Sequence, residues 1–409
     1  MKSYKNNDPH PPIMMGTPPP AEWRIPFADW DRAPWNRWSF QNVRQILPTT
    51  AVRRGPGPVW ALPESPVDID AIPFSAVNGA PSTVAGMLND TYTDGFLVMI
   101  DGQIIHESYH NGMTPHTLHL AQSVSKSVVA TVAGILIGQG LLDPAAPITR
   151  YLPKLRRTAW KGATLQQVLD MTSGVSFDEE YTDPASDIGK TDVAAGWKMR
   201  PDDGNPETVW PESIYDQILS LTSQDADHGA RFKYRSIETD VLAHAMERVS
   251  GLRLAELISQ ELWQKLGAEE DACFSVDKSG YALADGGFNA TLRDFARFGQ
   301  LHLQGGAREG LQIIPPEWVA DIRSGDHGLF DDYGRVSFPN GRYRNQFWVE
   351  DAARQSVMAR GVFGQLIYIA PEYGMVAVKL STWPEFLNAT HSANTMRALH
   401  AIAHHFGKT

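Results

Sequence analysis

Ser123-Val124-Ser125-Lys126 opens an apolar stretch in which Val124, Val128, Thr131, Ile135 and Leu136 recur every three to four residues, with Gly138 and Gly140 closing it. That spacing predicts a helix over 123–139 with its stop at the glycines. Three residues is nearly one turn, so Ser123 and Lys126 share a face. Ser123 stands in the positive field of the helix N-terminus, which favours an anion. A lysine in the first turn of an apolar helix is expected to be buried. Burial disfavours its charged form, and a neutral amine can take the serine proton.

Upstream, Phe96-Leu97-Val98-Met99-Ile100, Asp101-Gly102 and Gln103-Ile104-Ile105-His106-Glu107 read as a β-hairpin, with Asp-Gly as the turn. Downstream, Thr164 to Met171 reads as a short capped helix stopped at Ser173-Gly174. Residues 176–230, rich in Asp, Pro, Gly and Ser, read as long loops around short helices. Helices are expected over 237–265, Thr291–Leu303 and Asn388–His405. Strands are expected at Gln346–Val349, Gly364–Ala370 and Met375–Leu380, the last two joined by Pro371-Glu372-Tyr373-Gly374. Strands near both ends and helices between them predict one antiparallel sheet with flanking helices and an inserted, mostly helical region. The expected divisions are an irregular arm over 1–60, a discontinuous α/β domain over 61–155 and 290–409, and a helical and loop domain over 156–289. The arm carries Trp23, Trp30, Trp35 and Trp38 and is expected to pack on the body.

Composition narrows the functional classes. The chain has 409 residues, a net charge of −11 and 42% hydrophobic residues, ordinary for a soluble protein with a sizeable core. An acidic surface repels phosphate backbones, so nucleic acid is not expected as a partner. The single cysteine, Cys273, excludes a disulfide framework and cysteine-rich metal sites. Met1 to Asp8 lacks the apolar segment of an export signal, and Val128–Ile137 is too short to span a bilayer. A cytoplasmic protein without membrane contact, metal or cofactor is the expectation.

Two further motifs compete with the serine–lysine pair. His106-Glu107-Ser108-Tyr109-His110 matches H-E-x-x-H, which holds zinc when it lies on a helix. On the outgoing hairpin strand the two histidines would stand about 13 Å apart at 3.3 Å per residue, too far for one ion. A zinc peptidase is therefore the weaker alternative. Ser275-Val276-Asp277-Lys278 repeats the S-x-x-K spacing, but in a polar stretch where a lysine stays solvated. A serine–lysine pair also needs a second proton handler and an oxyanion hole. Tyr234-Arg235-Ser236 supplies a Y-x-S candidate, and Gly361-Val362-Phe363-Gly364-Gln365 a glycine-opened strand edge.

In this order the elements resemble the serine hydrolases of the β-lactamase and penicillin-binding-protein fold. Gly140-Leu141-Leu142-Asp143-Pro144 and Thr164-Leu165-Gln166-Gln167-Val168-Leu169-Asp170-Met171-Thr172-Ser173-Gly174 resemble further segments of that family. Asn36-Arg37-Trp38, Thr91-Tyr92-Thr93-Asp94, Tyr181-Thr182-Asp183-Pro184-Ala185-Ser186, Ala195-Gly196-Trp197, Thr239-Asp240-Val241-Leu242-Ala243 and Lys379-Leu380-Ser381 resemble its nylon-oligomer branch, the 6-aminohexanoate-dimer hydrolases.

The resemblance implies a β-lactamase-like α/β (α+β) fold and hydrolysis of an amide or short ester through an acyl-serine. It implies Ser123 as nucleophile, Lys126 as base and Tyr234 as proton relay to the leaving group. The N–H groups of Ser123 and Val362 would form the oxyanion hole, beside Gly361. Tyr181 would contact the scissile amide, Asp192 would hold a substrate ammonium, and Trp197 would line the pocket. The partner is then a small amide or ester, and a homodimer is implied. Two departures bear on substrate. Ala359-Arg360-Gly361 stands where β-lactamases open with Lys or His, then Thr or Ser, then Gly. Asp285 stands where the nylon branch has Asn. The remaining alternatives are a carboxylesterase without nylon-oligomer activity and a β-lactamase or DD-peptidase.

Overall fold

The computed structural model describes residues 4–202, 209–330 and 332–406. Residues 203–208 of the expected loop region, and 1–3 of the N-terminal stretch read for an export signal, lie outside the described residues. In chain order the strands used below are β1 (Thr49–Val52), β2 (Thr93–Ile100), β3 (Gln103–Tyr109), β4 (His119–Leu120), β5 (Ala272–Ser275) and β6 (Phe288–Ala290). They continue with β7 (Arg342–Arg344), β8 (Phe347–Asp351), β9 (Ser356–Gly361), β10 (Gln365–Ala370) and β11 (Met375–Ser381). The helices are α1 (Val124–Gly138), α2 (Leu165–Leu169), α3 (Asp187–Ala194), α4 (Ile237–Ser250), α5 (Leu292–Leu303) and α6 (Ala389–Phe406).

The principal sheet has seven strands in the order β7-β8-β9-β10-β11-β2-β3, every pair antiparallel. The β2–β3 turn is the expected one: Asp101 and Gly102 have φ of 46° and 80°, the two positive values a type I′ turn demands. Strand β11 returns to pair with β2, Val378 opposite Leu97, and so joins the two ends of the chain in one sheet. Phe96, Leu97, Val98 and Met99 are all buried because both faces of the sheet are covered. Leu97 and Met99 join the core that contains α1 and α5, whereas Phe96 and Val98 join Leu399 and Ile402 of α6. This antiparallel sheet between helical layers is the β-lactamase-like α/β arrangement expected from the sequence.

A second, four-stranded sheet runs β1-β5-β6-β4. Its strands come from the arm, from the stretch before α1 and from both sides of residue 280, so it straddles the expected junctions near 60 and 289. Strands β1, β4, β5, β6, β7 and β9 lie outside the expected strands, because two to six residues give too few alternations to register as a period. The arm packs as expected. Trp30 is fully buried, and its Nε1 donates to the Trp197 carbonyl at 2.9 Å. Among the described residues no helix is long and apolar enough to cross a membrane.

Candidate active site

Helix α1 is buried almost all round, with Val128, Val129, Ala130, Val132 and Ala133 fully covered, as expected for a helix apolar on every face. Its start is fixed by the second sheet. Ala121 N donates to the Phe288 carbonyl at 2.9 Å, and Phe288 N donates to Ser125 Oγ at 3.0 Å. Gln122, just before the nucleophile candidate, has φ of 50°, a left-handed conformation that a glutamine holds only where its surroundings impose it. Ser123 is the N-cap residue and is half-buried, with its side chain not spent on capping.

Lys126 is 2% exposed, and its Nζ donates to Ser123 Oγ at 2.8 Å and to the Asp285 carbonyl at 2.7 Å. Tyr234 closes the group. Lys126 Nζ lies 5.3 Å from its ring centroid, and its hydroxyl interacts with both Ser123 and Lys126. Tyr234 is held by stacking on Trp348 at 5.7 Å. Its neighbour Arg235, fully buried, donates to Asp225 at 2.8 Å and to the Lys233 carbonyl at 3.0 Å. Tyr234, far along the chain, is therefore brought to the Ser123–Lys126 pair.

The charge state of Lys126 departs from expectation. Burial, the largest influence, pulls its pKa down, but Tyr234, Asp285 and Glu179 together outweigh it, and the net direction is up. The fold therefore favours the charged form of Lys126. The neutral amine inferred from burial alone is corrected by the acidic groups that the fold places around it. The Tyr234 phenol is also raised, by burial first, against the pull of Lys126.

Two of the acids in this neighbourhood escaped the sequence reading. Glu179 accepts from Ser236 N at 3.0 Å, from the Ser236 hydroxyl and from the Tyr181 hydroxyl at 2.9 Å, and burial raises its pKa. It stands in Asp178-Glu179-Glu180, which reads as solvated loop acid and carries no signal of its role. Asp240, on α4, accepts from Ala284 N at 2.9 Å and from the Asp285 N–H, and so holds the loop whose carbonyl meets Lys126. Burial, then Asp285, push its carboxyl well above the usual range. The stretch Thr239–Ala243 held the one available clue.

The other predicted residues surround this centre. Asp285 is 5% exposed, and burial raises its carboxyl against the pull of Lys126. Tyr181 stacks on Phe386 at 5.2 Å, and its carbonyl accepts from Arg32 at 3.3 Å. Asp192, on α3, is pushed well above the ordinary range by burial and then by Asp31, and it also feels Asp285. Trp197 packs edge-on against Trp30 at 5.1 Å and donates from Nε1 to Ser275 Oγ at 2.9 Å. It also faces the backbone beside Asp285, its ring 3.9 Å from where a Cβ on Gly286 would stand.

Gly361 ends β9 directly against the nucleophile turn. A Cβ there would stand 2.6 Å from the Ala121 carbonyl oxygen and 3.0 Å from Gln122 Cβ, so only glycine allows the approach. Val362 follows at once. Arg360 is engaged elsewhere: it donates to Ser392 of α6 at 2.9 Å and lies 5.0 Å over the Phe338 ring.

The competing motifs lie apart. His106 is on strand β3, bonded to Ser108 Oγ at 3.1 Å, and His110 follows the strand. Among the described residues no cluster of three His, Cys, Asp or Glu could hold a metal ion. Ser275 is taken by Trp197, while Lys278 is exposed and bonded to Glu212 at 3.0 Å.

Residues 84–402 match the Beta-lactamase family. The chain is 39% identical over 359 residues to the 6-aminohexanoate-dimer hydrolase of Paenarthrobacter ureafaciens, covering 87% of this chain and 88% of that protein. The solved structure of a "putative 6-aminohexanoate-dimer hydrolase" of Bacillus anthracis superposes with a TM-score of 0.85 at 28% identity, covering 95% of this chain and 98% of that one. Esterase EstB of Burkholderia gladioli is 26% identical over 177 residues, 42% of each chain.

Proposed function

The chain belongs to the Beta-lactamase family and is a serine hydrolase, and from that premise we propose that Ser123, Lys126 and Tyr234 cleave a linear amide of the 6-aminohexanoate-oligomer type. The observation that carries this reading is the 2.8 Å contact of Lys126 Nζ with Ser123 Oγ, with Tyr234 on both.

The reaction begins when Lys126 has given up one proton. Ser123 Oγ attacks the carbonyl carbon as its proton passes to Nζ. The oxyanion is received by the N–H groups of Ser123 and Val362, each such donor being worth roughly 10²–10³ in rate. The C–N bond then breaks as the Tyr234 hydroxyl protonates the leaving nitrogen and Lys126 returns a proton to Tyr234. Water attacks the acyl-serine by the same relay in reverse. Tyr181 and Gly361 border the acyl group, and Trp197 lines the pocket.

Asp192 and Asp285 set the substrate's polarity. Burial raises both carboxyls, and an arriving ammonium would draw each back toward its ionised form. A cationic end is favoured and a carboxylate beside Asp285 disfavoured. A β-lactam carboxylate would meet no cation from Arg360, which is bonded to Ser392. The second reading, a short-chain carboxylesterase, draws on the similarity to Esterase EstB and on the same acyl chemistry. The implied homodimer and a small-molecule partner in the cytoplasm remain part of the proposal.

Intact mass after mixing with the linear aminohexanoate dimer and with a p-nitrophenyl ester tests it. An acyl adduct on the wild type, absent in Ser123→Ala, is expected. Turnover without an adduct, surviving in Ser123→Ala, would overturn the assignment. The ratio of kcat/KM on the two substrates separates amidase from esterase.

A further inference from the structure

We infer that Gln365 is a positioning residue for the oxyanion hole, its buried carboxamide holding the Val362–Gly364 loop in register; this rests on the reading of Val362 N–H as a donor. The β10–β11 ladder runs from Ala370 opposite Met375 to Leu366 opposite Lys379. One residue further on, the Gln365 side chain takes the place of the next rung. Its Oε1 accepts from Ser381 N at 3.1 Å, and its Nε2 donates to the Ser381 carbonyl at 2.6 Å. The Ser381 N–H can only donate, so the oxygen of the amide must face it, and Nε2 is turned toward carbonyls. There it also reaches the Phe363 carbonyl at 3.3 Å and the Val362 carbonyl at 3.4 Å.

The loop it holds does not rest there unaided. Phe363 has φ of 61°, a left-handed conformation that is unfavourable for a non-glycine residue. Gly364 has φ of 90°, and a Cβ there would stand 2.3 Å from the Trp383 ring. Strain of this kind persists only where several contacts impose it. Phe363 N donates to the Phe386 carbonyl at 2.9 Å, Trp383 N donates to the Phe363 carbonyl at 3.3 Å, and the Phe363 ring packs on Phe40 at 5.3 Å and Phe386 at 4.7 Å. The loop thus has one foot at Gly361 on the nucleophile turn and the other on Gln365. Gln365 itself is 2% exposed and has no place among the reacting groups. Without its amide the second foot is free to rock, and the N–H of Val362 loses its aim.

The test uses Gln365→Leu and Gln365→Glu, with a p-nitrophenyl ester and its thionoester, in which sulfur replaces the carbonyl oxygen and fits an oxyanion hole poorly. Rates are normalised to sites labelled to completion by a fluorophosphonate, so unfolded protein does not count. Gln365→Leu is expected to lower kcat roughly 10- to 100-fold, within the 10²–10³ of a whole donor, with KM within threefold. The preference for oxygen over sulfur should shrink in step. Gln365→Glu sets a carboxylate against three carbonyls, so its loss should be deeper at neutral pH and partly relieved at acid pH, when the carboxyl can again donate. Wild-type kcat per labelled site with an unchanged oxygen preference in both variants would overturn the proposal. A wild type without any oxygen preference would overturn the oxyanion reading and this one with it.

Discussion

Replacing Gly361 by alanine tests how closely the nucleophile turn and the strand bearing Val362 are coupled. Gly361 has φ of −134° and ψ of 153°, extended backbone open to any residue, so the effect is purely one of space. The new methyl would stand 2.6 Å from the Ala121 carbonyl oxygen, 3.0 Å from Gln122 Cβ and 3.1 Å from Gln365 Cβ. Relief to an ordinary contact requires a displacement of roughly 0.5–1 Å between the strand end and the turn, at an overpacking cost of about 1–3 kcal/mol. A misplacement of about 1 Å at reacting groups can cost roughly 10² in rate. Gly361→Ala should therefore lose about 10- to 100-fold in kcat on a p-nitrophenyl ester, while its melting temperature falls by only a few degrees. The assay is steady-state hydrolysis normalised to fluorophosphonate-labelled sites, beside a thermal melt. A variant with wild-type kcat per labelled site would refute the argument, because the second donor would then not depend on this contact.

Lys126→Ala should lower kcat by about 10⁴ or more, nearly as much as Ser123→Ala, because the two act as one unit; retention of most activity on the ester would remove Lys126 as the base. Asp285→Asn deletes a carboxylate that raises the Lys126 pKa, and since the rate rises with pH as Lys126 loses its proton, the acid limb of kcat/KM should move to lower pH. A limb that stays or moves upward contradicts the electrostatic account. Asp192→Asn should raise KM about tenfold for amides ending in an ammonium and leave neutral esters within twofold, read by comparing the two substrates. Glu238 is raised from 4.5 to about 8 by burial, against the pull of Arg235. Its folded pKa exceeds its unfolded one, so its stability contribution is whole below about 4.5 and lost as pH climbs to about 8. Glu238→Gln should flatten the melting temperature across that window, and an unchanged slope would show that the group does not titrate there.

What could be read from the chain alone was what one turn or one hairpin encodes. Ser123 and Lys126 are three residues apart, and Asp101-Gly102 specifies its own turn, so neither needs the rest of the molecule. The protonation of Lys126 is another matter. Asp285 lies 159 residues away in the chain, and Glu179 hides among loop acids, yet both decide whether the amine is charged. Burial was foreseen from the apolar helix, and its companions were not. Strand β9 escaped for a similar reason. Ser356-Val357-Met358-Ala359-Arg360-Gly361 has no clean alternation, and it becomes a strand because β8 and β10 flank it. Residues 106–109 of the H-E-x-x-H segment lie on strand β3, as the local hairpin signal beside them indicates.

Strand β11 closing on β2 has a bearing on biosynthesis. Lys379 Nζ donates to the Thr91 carbonyl across a separation of 288 residues. During translation the serine–lysine pair is therefore made long before the sheet that supports it can be completed. Until the final strand emerges, β2 offers an unpaired apolar edge, the kind of surface that invites aggregation or chaperone capture. Chains cut short before β11 should accumulate as insoluble material rather than as weak enzymes, and slow delivery of the last strands should govern the yield of soluble protein in a cell.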